Sequence, residues 1–450
     1  MRSPKPLRMG PPAVSASNRD QGFLVIDTIE HCTHDQRFPP LVPCHPPPPR
    51  YSYPPMAKRI AILGSTGSIG TSALDVLAHL GPDYRATALS AHSQADKLIE
   101  QMRQFRPASV AVTDESQAAK VRSAASALGT RVYVGAAGVV EMVQRDDIDI
   151  VLAAIVGAAG LPAVFAAVRS GKTLALANKE ALVVAGSLLI PEAKKRGVAI
   201  LPVDSEHSAI FQAAKSGKAH EITKLILTAS GGPFRNASRE KIENATLADA
   251  LNHPTWQMGT KITIDSATMF NKGLELIEAC WLFDLPPEKI EIVVHPESII
   301  HSMVEFRDGS IIAQMGPPDM RTPIQYALTY PERLSGNSRK LDLTQALSLH
   351  FQPPDYERFP ALRLAQDVAR RGGTLGSVLN AANEAAVAAF ASGNIPFGGI
   401  ARAVAHTIQA HSVQPAPSLD DLLEADRWAR RTTGQFVQEW SLDKKVACSA

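Results

Sequence analysis

The most restrictive feature of this sequence is the succession RIAIL, GSTGSIG, TSALDVLAHL beginning at Arg59. A short run of apolar residues reads as a strand buried on both faces, and apolar positions three and four apart behind it mark one face of a helix. The alternation continues through strand YRATALSA, helix SQADKLIEQMRQF, strand ASVAVTD, helix ESQAAKVRSAASAL, strand RVYVG, helix GVVEMVQR and strand IDIVLAAI. Helix LPAVFAAVRSG, strand TLALA, a helix from about Lys179 and strand VAILPV extend it. Strands joined by right-handed helical crossovers give an α/β fold with a doubly wound parallel sheet, whose ligands bind beyond the carboxyl ends of the strands.

GSTGSIG lies at such an end. Gly64, Gly67 and Gly70 let backbone N–H groups and the positive end of the next helix converge on a pyrophosphate. The spacing is G-x-x-G-x-x-G and not G-x-G-x-x-G, so the strand, turn and helix context carries the reading. It is a Rossmann-like nucleotide-binding half over 56–203, with a plain tight turn as the alternative. The second strand ends without the acid that would hold a ribose 2′-hydroxyl; His92, Ser93 and Gln94 stand there and favour a 2′-phosphate, hence NADP.

After Val203 the texture changes. KLILTASGGPF, TWQMGTKITIDSATMFNKG and KIEIVVHPESIIHSMVEFRDGSIIAQMG read as β-rich runs without regular intervening helices, a central α+β catalytic domain over 204–345. IEIVVHPESIIHSMVEF and SIIAQM are expected to pair antiparallel about RDGS. An exposed sheet of this kind offers a dimer interface, an internal sheet being the alternative. A Pro-rich linker over 346–360 and a small alanine-rich helical domain over 361–450 complete the chain, whose 450 residues suffice for two or three domains.

The first 55 residues contain RFPPLVPCHPPPPRYSYPP, with no apolar core for secretion and with acids that a transit peptide avoids. They read as a disordered Pro-rich extension or as sequence ahead of a start at Met56, a divergent organelle-targeting segment being the alternative. A net charge of +2 implies no polybasic surface, hence no nucleic acid or lipid partner. Apolar runs such as VLAAIVGAAGLPAVFAAV are broken by Gly and Pro, so no membrane span is expected. Four cysteines without a C-x-x-C pair suggest a reducing compartment and neither a disulfide framework nor a zinc cluster. Bacterial cytoplasm is the expected location, a plastid the alternative.

Within LPVDSEHSAIF, Asp204, Ser205, Glu206 and His207 stand in a row. A helix cap at Asp204 or Ser205 is one reading. The other is a cation site, because Asp204 and Glu206 face the same way in extended chain. Glu275 in NKGLE would add a third carboxylate, a set suited to Mg²⁺ or Mn²⁺ with positions left for substrate oxygens. Glu275 and Glu278 are i, i+3 on a probable helix, so one of them also reads as a surface charge, and His207 reads as a partner behind the carboxylates with a fourth ligand as the alternative. Asn178, Lys179 and Glu180 follow a strand end, where Lys179 can neutralise an oxyanion or stand solvated at a helix start. Ser230, Ser266, Asn271 and Lys272 together suit a phosphate, although each singly fits a turn or cap. His253, Trp256 and Met258 share the loop NHPTWQMG, a lid or an ordinary packed loop.

In order, GSTGSIG, AAIVGAAGL, LANKE, LPVDSEH, SGGPF, HPTWQMG, KITIDSATMFNKGLE, HPESIIHSMV, PDMRTPI and LNAANE closely resemble the 1-deoxy-D-xylulose 5-phosphate reductoisomerase family. The resemblance runs from about Lys58 to Ala401, and more loosely to the C-terminus. It implies rearrangement and reduction of 1-deoxy-D-xylulose 5-phosphate to 2-C-methyl-D-erythritol 4-phosphate in the non-mevalonate isoprenoid pathway. NADPH and a divalent metal are implied, Mg²⁺ or Mn²⁺ with Co²⁺ as a further alternative, and so is a homodimer.

By the same resemblance Asp204, Glu206 and Glu275 are metal ligands, and Lys179, Glu206, His253 and Trp256 are the catalytic group. Ser230, Ser266, Asn271 and Lys272 take the phosphate, while Ser205, Glu206, His253 and Glu275 also face substrate. Gly64, Thr66, Gly67, Ser68, Ile69, His92, Ser93, Gln94, Asn178, Glu180, Gly259 and Met320 are the implied cofactor contacts. Two departures stand out: Ala91-His92-Ser93-Gln94 replaces the A-G-[KR]-N frequent in relatives, and Ala229 replaces a frequent Gly, tolerable where φ is negative. Another NADP-dependent dehydrogenase would not need three acids and a phosphate cradle together. A silent nucleotide-binding regulator would have lost a ligand or Lys179.

Overall fold

The computed structural model describes residues 57–256 and 258–449. The expectations for residues 1–55, and for a start at Met56, lie outside them.

The chain alternates β1 (Lys58–Leu63), α1 (Ser68–Leu80), β2 (Tyr84–Ala91), α2 (Ala95–Phe105), β3 (Ser109–Val112), α3 (Ala118–Ser126), β4 (Arg131–Val134) and α4 (Gly135–Val143). It continues through β5 (Ile150–Ala153), α5 (Leu161–Arg169), β6 (Thr173–Leu176), α6 (Glu180–Arg196) and β7 (Ile200–Pro202). All seven strands are parallel, in the order β4-β3-β2-β1-β5-β6-β7. Burial on both faces explains the unbroken apolar runs: Ile60 and Ile62 of β1 enter one layer with Leu74 and Val76 of α1, Ala61 and Leu63 the opposite layer with Val164 and Leu182.

The winding direction reverses between β1 and β5, which opens a crevice at their carboxyl ends. Gly64 sits there with φ +82°, and a Cβ would lie 2.7 Å from the Ala154 carbonyl oxygen beyond β5. Only glycine combines that backbone conformation with that approach. At Gly70 a Cβ would meet the Gly64 carbonyl oxygen at 2.3 Å, so its absence lets α1 start directly on the turn.

From β7 the chain passes into α7 (Ser205–Ala213), β8 (Ile222–Ala229), α8 (Arg239–Glu243), α9 (Leu247–Leu251), α10 (Thr260–Thr268) and α11 (Phe270–Phe283). Then follow β9 (Ile290–Val294), β10 (Ile300–Phe306), β11 (Ile311–Met315) and α12 (Arg321–Thr329). The second sheet has the order β11-β10-β8-β9. β10 and β11 pair antiparallel as expected, whereas β9 runs parallel to β8 on its far side.

The β-rich reading of KITIDSAT is corrected, since these residues lie in α10. Alternating Ile and Thr prefer strands, but Thr263 Oγ1 donates to the Gly259 carbonyl at 2.8 Å, and Ile264, Ala267 and Thr268 form one buried face at helical spacing. Packing of that face overrides the local preference. Ala229 closes β8 outside the left-handed region, and the positive φ angles fall on Gly231 and Gly232 instead.

Helix α12 returns to the first sheet, where Ile324, Ala327 and Leu328 join the layer of Ile60 and Ile62. This return brings Met320 next to α1. The C-terminal helices α13 (Ala361–Arg371), α14 (Leu375–Ala391), α15 (Phe397–Ala410) and α16 (Leu419–Ser449) close the second core, which runs from Leu227 through Leu274 and Ala365 to Leu379 and Val404. Among the described residues no helix is long and apolar enough to cross a membrane.

Candidate active site

A cavity of about 340 Å³ opens between the carboxyl ends of β1, β6 and β7, the second sheet and the 252–259 loop. Its size is that of a small-ligand site. Asp204 occupies the N-cap position of α7, yet its side chain makes no capping hydrogen bond. The cap reading therefore describes its backbone and the cation reading its carboxylate. Glu206 lies in the first helical turn, so the two acids converge through a helix start. The expectation of extended chain does not hold.

Glu275 arrives from α11, buried, and the ligand oxygens of Asp204, Glu206 and Glu275 lie within 4.8 Å of one another. All three line the cavity, so ligand positions remain on the open side. This donor set, three hard oxygen ligands from two helices, fits Mg²⁺ or Mn²⁺.

Two buried lysines balance the acids. Lys179 Nζ lies 2.7 Å from Asp204 Oδ2, 3.1 Å from Glu275 Oε1 and 2.7 Å from Asn271 Oδ1. Lys272 Nζ lies 2.7 Å from Glu206 Oε1 and also contacts Glu275 Oε2. Burial pushes the Lys179 ammonium down, but Asp204, Glu275 and Glu278 outweigh it and hold it well above the ordinary lysine range. Lys272 is likewise raised, burial being outweighed by Glu206 and Glu275. Burial alone would raise Asp204; the Lys179 ammonium beside it overcomes burial and holds this carboxylate well below its usual range. Three carboxylates against two ammonium groups leave one negative charge unbalanced, which a divalent ion reverses.

His207 lies buried beside Asp204 and Glu278. Its Nε2 faces the Glu275 carbonyl oxygen at 2.9 Å and its Nδ1 faces Glu278 Oε2 at 3.3 Å. Burial lowers the His207 pKa, and burial followed by Asp204 pushes that of Glu278 far up. Asp204, His207 and Glu278 also bring ligand atoms within 4.8 Å, but His207 and Glu278 are fully buried and line no part of the cavity. The reading of one of Glu275 and Glu278 as a surface charge is thereby corrected, since both are buried.

Ser230, Ser266, Asn271 and Lys272 all line the same cavity. In the 252–259 loop, His253 Nδ1 accepts from the Thr255 and Trp256 backbone N–H groups at 3.1 and 2.9 Å. Its proton therefore sits on Nε2, which donates to Ser230 Oγ at 3.1 Å. The loop is latched onto Ser230, and Trp256 and Met258 also line the cavity.

On the nucleotide side Ser68, Ile69 and Met320 line the cavity. Gly64, Thr66, Gly67 and the exposed residues His92, Ser93 and Gln94 form the crevice beside it, and His92 Nδ1 meets Thr113 Oγ1 at 2.8 Å. Asn178, Glu180 and Gly259 do not line it. Asn178 Oδ1 accepts from Ala181 N–H at 2.8 Å, and buried Glu180 holds Lys261. Sequence reasoning missed His301, which lines the cavity from β10 with Nε2 3.1 Å from the Gly316 carbonyl oxygen. It also missed Lys97 of α2, whose ammonium donates to the Thr66 carbonyl of the glycine turn at 2.8 Å. Its neighbours three residues away, Gln94 and Glu100, gave no local signal.

A doubly wound nucleotide-type sheet facing a cavity with three metal-ready carboxylates and a serine, amide and lysine cluster defines a metal-dependent, nucleotide-linked oxidoreductase. The chain belongs to the 1-deoxy-D-xylulose 5-phosphate reductoisomerase family. Residues 60–186 match the family model 1-deoxy-D-xylulose 5-phosphate reductoisomerase, and residues 200–283 and 315–432 match two models of its C-terminal domains.

The 1-deoxy-D-xylulose 5-phosphate reductoisomerase of Pelodictyon phaeoclathratiforme is 51% identical over 380 residues, 84% of this chain and 100% of that protein. That of Geotalea daltonii is 50% identical over 383 residues, 85% of this chain and 100% of that protein. A crystal structure of DOX-P reductoisomerase in complex with NADPH, fosmidomycin and magnesium superposes with a TM-score of 0.81 at 42% identity, over 85% of this chain and 98% of that one. The Zymomonas mobilis enzyme in complex with NADPH gives 0.80 at 44%, over 84% and 99%.

Proposed function

We infer that this chain converts 1-deoxy-D-xylulose 5-phosphate to 2-C-methyl-D-erythritol 4-phosphate, a rearrangement and reduction that depends on NADPH and a divalent cation, in the non-mevalonate route to isoprenoid precursors. The observation that carries the reading is the convergence of Asp204, Glu206 and Glu275 with Ser230, Ser266, Asn271 and Lys272 in one cavity beside the glycine turn. Relatives of the same family hold NADPH and magnesium. When bound, Mg²⁺ or Mn²⁺, with Co²⁺ as an alternative, supplies a Lewis acid toward two adjacent oxygens of a hydroxy ketone, and NADPH supplies a hydride.

The chain's own groups do the rest. Asp204, Glu206 and Glu275 hold the ion, while Lys179 and Ser205 face the substrate oxygens. Ser230, Ser266, Asn271 and Lys272 take the phosphate, Asn271 standing in contact with Glu275 and Lys272 with Glu206. Binding that remote group orients the reacting carbons and supports closure of His253, Trp256 and Met258, which excludes water. Gly64, Thr66, Gly67, Ser68, Ile69 and Met320 seat the cofactor, with His92, Ser93 and Gln94 at its far end.

We also infer a homodimer through the edge strand β11, where Ile311 and Met315 are 50% and 40% exposed, and a bacterial cytoplasmic location like that of a nucleotide-dependent metabolic enzyme. Mass spectrometry tests the reaction: with Mn²⁺ and NADPH, the sugar phosphate should gain one hydride and one proton while NADPH is consumed. Consumption without that product would sink the reading.

A further inference from the structure

Helix α10 joins two parts of the site. The 252–259 loop enters its first residue, and its last turn carries Ser266 before the chain passes to Asn271 and Lys272. Lys261, in the first turn of α10, reaches Glu180 Oε1 at 2.9 Å and Asp265 Oδ2 at 2.9 Å. Asp265 Oδ1 in turn accepts from Asn383 Nδ2 of α14 at 2.8 Å. Glu180 begins α6 directly after Lys179, the lysine that contacts Asp204 and Glu275. A single chain of ion pairs and hydrogen bonds thus spans α6, α10 and α14, and Glu180, Asp265 and Asn383 are all buried.

We propose that Lys261 is a positioning residue which, through Glu180, ties the start of α10 to the start of α6, so that one ion pair sets the placement of both Ser266, in the last turn of α10, and Lys179. Buried charges held this way have little freedom to move apart, because separating them leaves each unpaired in a low-dielectric interior. Burial pushes the Lys261 ammonium down, but Asp265 and Glu180 raise it on balance, and Lys261 outweighs burial to keep Glu180 ionised below its usual range. The ion pair therefore persists across physiological pH. Glu180 accordingly acts on the substrate side of the reaction through Lys261, and not chiefly as a cofactor contact. The proposal rests on the reductoisomerase reading above.

The test uses the full chain with Glu180→Leu, Lys261→Met, Lys261→Arg and the double variant Glu180→Leu/Lys261→Met. Steady-state constants for 1-deoxy-D-xylulose 5-phosphate are measured beside direct NADPH binding by fluorescence. Each neutralising variant should lose about tenfold or more in kcat/KM for the sugar phosphate, with the NADPH Kd within about twofold of wild type. The double variant should be little worse than the poorer single one, since the two share one interaction, and Lys261→Arg should recover most of the loss. If Lys261→Met fails to fold, Glu180→Leu carries the test, because it leaves the Lys261, Asp265 and Asn383 contacts in place.

An NADPH Kd raised about tenfold in Glu180→Leu, with Lys261→Met unaffected, would overturn the proposal and make Glu180 a cofactor contact. Additive losses in the double variant would overturn it as well. An inactive wild-type enzyme in the same assay refutes the reductoisomerase reading, whereas an active wild type with unchanged variants refutes the ion-pair proposal alone.

Discussion

Lys179 Nζ and Asp204 Oδ2 lie 2.7 Å apart, the lysine placed by the end of β6 and the acid by the end of β7. Parallel pairing of these strands sets the contact, so the carboxylates are neutralised by the framework of the first sheet. Lys179→Met should cost the metal-free protein about 3–5 kcal/mol, the typical penalty for breaking a buried pair. Thermal melts in EDTA and in Mn²⁺ check this: the variant should melt lower in EDTA and recover part of the loss in Mn²⁺. Melting at the wild-type temperature in EDTA contradicts the neutralising role.

Glu206→Gln should abolish measurable turnover while leaving NADPH affinity within about twofold, since the carboxylate belongs to the cation site and the cofactor turn lies elsewhere. Activity at saturating Mg²⁺ would remove Glu206 from the ligand set.

His253→Ala removes both the Nδ1 acceptor that orders Thr255 and Trp256 and the Nε2 donor to Ser230. Its KM for the sugar phosphate should rise about tenfold with the NADPH KM unchanged. An effect confined to the NADPH KM would place the loop on the wrong substrate.

Asp319 accepts from Arg321 N–H and Nη2 at 3.0 and 2.7 Å, beside Met320 at the start of α12. Burial alone would raise its pKa, but the Arg321 hydrogen bonds hold it below the usual carboxylate range. A depressed folded-state pKa gives stability that is present above the unfolded value of about 3.9 and is lost as pH falls through the folded one. Asp319→Asn should therefore melt a few degrees lower at neutral pH, with the gap closing below about pH 4. A gap independent of pH would show that the charge contributes nothing.

The first sheet was legible because burial on both faces leaves apolar runs such as RIAIL, and because Gly64 marks a turn that admits no side chain. KITIDSAT was misread since strand preference is local, whereas the face formed by Ile264, Ala267 and Thr268 exists only against its packing partners. Likewise the metal-ready acids were found, but through a wrong local geometry: an N-cap followed by a helical turn brings Asp204 and Glu206 together. Contacts between residues far apart in sequence left no signal. Lys261 with Glu180, Lys97 with Thr66 and Glu278 with His207 each required the fold before their partners could be named.

The most direct measurement is NADPH oxidation with 1-deoxy-D-xylulose 5-phosphate in EDTA, followed by restoration of Mn²⁺. Oxidation that stops with EDTA and returns with Mn²⁺ is the predicted result, joining the cation at Asp204, Glu206 and Glu275 to the reduction. Oxidation that continues at full rate in EDTA, or that never occurs with folded protein, would contradict it.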